Sequence, residues 1–288
     1  MQRIAWSSAI IVIAGFTIAA NTSDHSRNNF PEVQKEAIQK TLNFSALSGP
    51  KELVVDNVFG SIQVTGYDGK AVQAEIDKTT RGRTKDDIAL ANKEVELKIS
   101  EQSNRIELYV DGPFRCQDGS RRSRHFDYQV NYDFRVKVPR ECDLHVSTVT
   151  DGDLRVENIA GKFDLENVNG KIQMSEVSGS GYAHTVNGTV KVLFSHNPRA
   201  DCSFKSLNGD VDVAFRPDMS ADFWFKTFNG GAYTDFNLTS LPQPVSEPER
   251  RNGKYVYKSN RFFGARAGKG GPQIKLDSFN GNIHVTSR

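Results

Sequence analysis

Cysteine is scarce: Cys116, Cys142 and Cys202 are the three thiols in 288 residues, which excludes a disulfide-built scaffold. An excess of charge of one sign is missing as well. The 37 basic and 35 acidic residues leave a formal charge of +2, so nucleic acid held by bulk charge is excluded as a partner, as is an acidic disordered tail. Hydrophobic residues make up 37% of the chain, enough for a core but with little to spare. Long apolar runs are absent with one exception. Ile4–Ala20 (IAWSSAIIVIAGFTIAA) carries no charge and follows Arg3. It is shorter than the roughly 20 residues that span a bilayer, is diluted by Ser7, Ser8, Gly15 and Thr17, and ends in Ala19 and Ala20. Residues 1–20 therefore read as a secretory signal peptide, with an uncleaved anchor as the rival. A cleaved signal implies an extracytoplasmic mature chain (periplasmic, cell-surface or secreted) with no transmembrane span. Residues 21–35 are polar and read as a flexible lead-in.

The usual vocabulary of catalysis is also thin. His25, His125, His145, His184, His196 and His284 show no i, i+2 or i, i+4 pairing that would seed a zinc site. No G-x-S-x-G elbow occurs. The run Gly264–Gly271 (GARAGKGG) fails as a phosphate loop, since no Ser or Thr follows Lys269 and no helix pattern follows, and reads as a flexible loop. Asp210 and Asp212 share a strand, but stacking in chain order places Thr189, Lys191, Gly231 and Tyr233 beside them instead of a third acid. No catalytic, metal or cofactor-binding residues are expected.

What the chain does have is a repeat. Glycines fall at 152, 161, 170, 179 and 188, nine apart, then at 209, 230 and 281, with an isolated copy at 60. The surrounding words are alike: NVFGSIQV, NVNGKIQM, TVNGTVKV, SLNGDVDV, SFNGNIHV. Two residues before the glycine the position is apolar (Val58, Ile159, Val168, Val177, Val186, Leu207, Phe228, Phe279), and so are the positions two and four after it. This period-two alternation predicts short strands with one buried face, those preceding residues pointing inward. Pairs such as Leu53 and Val55, Leu144 and Val146, Cys202 and Phe204, Phe223 and Phe225, and Ile274 and Leu276 predict strands on a second side. Asn-Gly tolerates a corner, and a circuit of 18–21 residues favours stacked coils over hairpins. Asn169–Gly170, Asn187–Gly188, Asn208–Gly209, Asn229–Gly230 and Asn280–Gly281 should then form a structural ladder along one edge.

The fold expected is all-β, a β-solenoid of stacked coils with a short helix in the N-terminal half, at Thr84–Asn92 after a capping Thr. Residues 36–138 form an N-terminal β-rich part, with strands at 95–100, 105–110 and 127–138. Residues 139–288 form the repeat, with an insertion at about 237–271. Cys202 should be buried and unpaired. Were 105–110 and 127–138 antiparallel neighbours, Cys116 and Cys142 would lie too far apart to bridge, so the expectation is against that disulfide.

The order of these words, from LNFSAL through VDNVFGSIQVTGYDG and VKVPRECDLHV to the NG repeats and GGPQIKLDSFNGNIHV, resembles the bacterial "putative adhesin", or toast-rack, family of exported domains of unknown function. The resemblance covers about residues 36–286 and implies a β-solenoid-like fold outside the cytoplasm, with no catalytic set to carry over. The reading is a non-enzymatic adhesin-like scaffold or binding module at the cell envelope. The alternatives are a β-helix polysaccharide lyase or hydrolase, or a sensory or regulatory partner of an envelope stress system.

A local excess of positive charge marks one contact candidate. Arg250, Arg251, Lys254, Lys258 and Arg261 are interleaved with Tyr255 and Tyr257 in the insertion, and such a mixture suits an anionic glycan, another envelope component or a protein. The competing reading is a hairpin that caps the last coils. Arg121, Arg122, Arg124 and His125 form a second basic cluster.

Overall fold

The computed structural model describes residues 30–45, 48–115, 126–242, 249–251, 254–256 and 262–288. Among the described residues the chain is all-β with one α-helix, and each coil contributes a strand to each of two facing sheets. The ten-stranded sheet runs in spatial order Glu32–Asn43, Ala71–Gly82, Tyr128–Pro139, Ile62–Tyr67, Leu154–Glu157, Ile172–Val177, Val190–Phe194, Val211–Phe215, Ile283–Ser287, Ala232–Thr234. The eleven-stranded sheet runs Leu238–Ser240, Phe263–Ala267, Ala221–Asn229, Gln273–Asn280, Cys202–Asn208, Gly181–Asn187, Phe163–Asn169, Asp143–Thr148, Glu52–Asp56, Arg105–Asp111, Glu96–Glu101. Coils stack in parallel and in register: Leu165 opposes Ala183, which opposes Phe204, circuits of 18 and 21 residues.

The isolated word at Gly60 belongs to the same stack. A Cβ on Gly152 would lie 2.1 Å from the Gly60 carbonyl oxygen, and one on Gly170, Gly188 or Gly209 would lie 2.1 Å from the oxygen of the preceding corner glycine. The glycines recur because successive corners touch backbone to backbone, and a methyl group has no room there.

Stacking order departs from chain order at one end. The last coil does not lie beyond Ala221–Thr234. Instead Gln273–Asn280 is inserted between Cys202–Asn208 and Ala221–Asn229, and Ile283–Ser287 between Val211–Phe215 and Ala232–Thr234. Ile274, Leu276 and Ile283 are thereby fully buried. The outer edge of Ala221–Asn229 is covered by Phe263–Ala267, which in turn pairs with Leu238–Ser240, both antiparallel. GARAGKGG is therefore not a loop throughout: its first four residues lie in a covering strand, and Gly268 and Gly270 make the turn at φ of 56° and 78°.

The core lies between the sheets. Phe163, Phe204, Phe194, Phe215 and Phe223 form a chain of ring contacts, with Phe194 and Phe215 stacked 5.1 Å apart. At the other end the strands Glu32–Asn43, Ala71–Gly82 and Tyr128–Pro139 pair antiparallel. The first of these begins at Glu32, inside the stretch read as lead-in. Helix Lys85–Glu94 is capped by Thr84, whose hydroxyl accepts from the Asp87 amide while the Asp87 carboxylate accepts from the Thr84 amide, a capping box.

Two expectations are corrected here. The strand Arg105–Asp111 is not a neighbour of Tyr128–Pro139: it pairs with Glu52–Asp56 and Glu96–Glu101 in the opposite sheet. The geometric case against a Cys116–Cys142 bridge therefore falls; Cys116 lies outside the described residues, and Cys142 is a buried free thiol, as is Cys202. Burial pushes the thiols of Cys142 and Cys202 up to about 12 and about 11. The second correction concerns the apolar residues before the corner glycines. Along Phe163–Asn169, Phe163, Leu165 and Asn167 face the core, so Val168 faces out. At the Asn-Gly corners the glycine switches the alternation, so Val168, Val186, Leu207, Phe228 and Phe279 do not face the core, whereas Ile159 and Val177, before Gly161 and Gly179, are buried as expected.

Candidate binding surface at the glycine corner

Three parallel columns meet at this corner, each with one residue per coil. The inner column is small and polar. Thr148, Thr185, Ser206 and Ser278 are buried, and their hydroxyls donate to the carbonyls of Gly60, Gly170, Gly188 and Gly209 at 2.8–2.9 Å. Asn167 does the same for Gly152 with its amide, at 3.0 Å. A buried carbonyl without a partner is costly, so each coil supplies a donor for the glycine of the one before it. This column was missed in the sequence, although Ser, Thr or Asn three residues before Gly170, Gly188, Gly209, Gly230 and Gly281 was there to be read.

The middle column is apolar and faces solvent. Register places Val149, Val168, Val186, Leu207, Phe279 and Phe228 side by side across six strands. At about 4.8 Å per strand this stripe is about 24 Å long. Leu207 is 39% exposed, Phe279 44% and Phe228 55%. The two rings stack with centroids 4.8 Å apart.

The outer column is the asparagine ladder, as expected in composition. Asn187 donates to Asn169, Asn208 to Asn187, Asn280 to Asn208 and Asn229 to Asn280, all at 2.7–2.8 Å. The inserted coil sets the order, so Asn280 stands between Asn208 and Asn229. Asn187, Asn208 and Asn280 each spend one donor and one acceptor on the ladder and keep one of each for solvent or a ligand, while Asn169 at one end only accepts and Asn229 at the other only donates.

Beside the stripe the sheet is polar and electrically balanced. Glu166, His184, Lys205, Asp277 and Lys226 alternate across it, with Lys226 Nζ 3.2 Å from Asp277 Oδ2. Partial burial, helped by Lys205, holds the His184 imidazole below the ordinary histidine range.

The acids considered for catalysis are placed differently from the chain-order stacking. Asp212 lies between Lys191 and His284. Partial burial is the main cause raising its carboxyl, with the nearby Asp210 carboxylate adding to the rise and His284 and Lys191 opposing it. Asp210 accepts the Asn282 amide at 2.7 Å. Tyr233 stacks on His284 instead, at 5.2 Å. Near the corner, Asp153 accepts the Lys171 amide and Asp151 the Gln129 side chain. Among the described residues no group of three His, Cys, Asp or Glu side chains is placed to hold a metal ion.

Of the basic insertion, Glu249–Arg251 and Lys254–Val256 form a small two-stranded antiparallel sheet of their own. This places Arg250, Arg251, Lys254 and Tyr255 on a hairpin backbone; Tyr257, Lys258 and Arg261, like Arg121, Arg122, Arg124 and His125, lie outside the described residues. Among the described residues no helix is long and apolar enough to cross a membrane.

No family model matches the chain, and neither does any curated protein. Solved structures do. A "putative cell adhesion protein" of Clostridium sporogenes is 8% identical over 88% of this chain and 100% of its own, with a TM-score of 0.44. A "putative adhesin" of Bacteroides fragilis is 13% identical over 88% and 97%, with a TM-score of 0.35. A "putative lipid binding protein" of Parabacteroides distasonis is 10% identical over 86% and 96%, with a TM-score of 0.31. At these scores and identities the stacking and pairing above stand on this chain's own residues.

Proposed function

We propose that the protein is a non-catalytic, adhesin-like binding module of the cell envelope that works outside the cytoplasm and holds an extended glycan strand along the glycine corner. One observation carries the reading: an uninterrupted outward apolar column, six residues in six strands, flanked by the amide ladder. Scattered surface hydrophobes need no explanation, whereas a contiguous row marks a contact site. A partner that fits offers an apolar face and hydroxyls at short, regular intervals. Sugar rings do both, their C–H faces meeting Leu207, Phe279 and Phe228 and their hydroxyls meeting the spare amide groups.

The test is co-sedimentation with insoluble cell-wall glycans, and binding to soluble capsular polysaccharides, for the wild type and a Leu207→Ser/Phe279→Ser/Phe228→Ser variant. The expected result is binding that the variant loses by tenfold or more while its melting temperature stays close to the wild type's. Absence of glycan binding by the wild type, or equal binding by the variant, overturns the proposal. Turnover of any of these glycans would favour the lyase or hydrolase reading instead.

A further inference from the structure

Among the described residues the opposite end of the stack is open. Glu32–Asn43 is the edge of one sheet and Glu96–Glu101 the edge of the other, and a cavity of about 430 Å³ lies between them beside the last turn of the helix. That is within the size range of ligand pockets. Its walls are largely apolar, made by Ile38, Val95, Leu97 and Ile99.

At its floor are two polar groups that nothing else in the fold uses. Glu36, Lys78 and Tyr132 form one row across three antiparallel strands. Lys78 is only 8% exposed and Tyr132 1%. The Lys78 ammonium lies 5.8 Å over the Tyr132 ring. Among the described residues neither the ammonium nor the phenol has a hydrogen-bond or ion-pair partner, and both residues line the cavity. A buried ammonium without a carboxylate contact is expensive and is retained where it has a use. Three more charged residues line the slot: Glu36, in the same row as Lys78, and Lys40 and Glu96. Glu96 is exposed and screened by water, whereas Glu36 is half-buried opposite Lys78 and supports its charge without forming an ion pair. Burial lowers the Lys78 ammonium and raises the Tyr132 phenol, with Glu36 opposing the first shift and adding to the second.

We infer that this slot binds a single-chain amphipathic acid, its carboxylate received by Lys78 Nζ and the Tyr132 hydroxyl and its hydrocarbon body lying along Ile38, Leu97 and Ile99. The pairing is donor to acceptor at the floor and apolar to apolar along the walls. The site is separate from the glycine corner, so glycan binding and acid binding stand or fall independently.

Isothermal titration of the full chain with decanoate, 1-decanol and decyltrimethylammonium, each below its aggregation concentration, tests the assignment. Decanoate should bind at least tenfold more tightly than decanol, and the cation not at all. Lys78→Met should abolish the preference for decanoate over decanol, and Tyr132→Phe should reduce it a few-fold. A wild type that binds none of the three, or binds decanoate and decanol equally, overturns the proposal. So does a Lys78→Met variant that keeps the preference. The comparison of ligands on the wild type holds even if a variant fails to fold.

Discussion

At Gly188 a single methyl group decides whether two coils can touch. A Cβ there would stand 2.1 Å from the Gly170 carbonyl oxygen. Gly188→Ala should therefore force the corner open and cost about 1–3 kcal/mol. Two other substitutions separate inward from outward positions only three residues apart in sequence. Phe204→Ala empties a fully buried site and should cost about 3–5 kcal/mol. Leu207→Asp should cost less than about 1 kcal/mol, being 39% exposed. Urea unfolding of the three variants checks the order, and a Leu207→Asp loss as large as that of Phe204→Ala would contradict the outward assignment. The same pair shows what could be read from the chain. Cys202 and Phe204 were legible as core because alternation is strict within a strand. Leu207 was not, because the corner glycine resets the phase of that alternation and apolar character alone carries no direction. The hydroxyls of Thr185 and Ser206 went unread for a related reason: their task is to meet a carbonyl from another coil, 15 and 18 residues back.

At the scale of elements, local signals were reliable and long-range order was not. The helix was announced by Thr84 and its capping box, and the 18–21-residue circuit by glycine spacing. The insertion of the last coil left no mark in the sequence, since SFNGNIHV is as good a word for an inner coil as for an outer one. The insertion between the last two words holds both a structural part and a proposed contact. Its flanks, Leu238–Ser240 and Phe263–Ala267, cover a sheet edge that would otherwise present free backbone groups. Its basic segment is the contact candidate read from the sequence, suited to an anionic glycan, another envelope component or a protein. Replacing Arg250, Arg251, Lys254 and Lys258 with Ser or Gln should weaken binding to anionic polysaccharide at low salt and flatten its salt dependence, while leaving the melting temperature near the wild type's. Binding by the variant that is as strong and as salt-sensitive as the wild type's would rule out the contact and leave the insertion with its flanking edge cover alone.

For the whole molecule, two sheets enclosing one continuous row of rings give a core that excludes reagents as well as water. With the thiols of Cys142 and Cys202 held near 12 and 11 by burial, the thiolate forms at pH 8 are scarce and sealed in. Neither should react with a disulfide reagent at pH 8 until the protein unfolds, when both should react together. Rapid native labelling of either residue, located by mass spectrometry, would show that the coils part on the experimental timescale.

The inserted last coil has a consequence for how the molecule is assembled. A chain that emerges gradually during synthesis can lay down its early coils in turn, but Ala221–Thr234 has no seat until Gln273–Ser287 arrives to lie beneath it. Until then the hydrophobic faces of Phe204 and Val213 wait uncovered, and the final segment acts as a keystone whose arrival converts a growing stack into a sealed one.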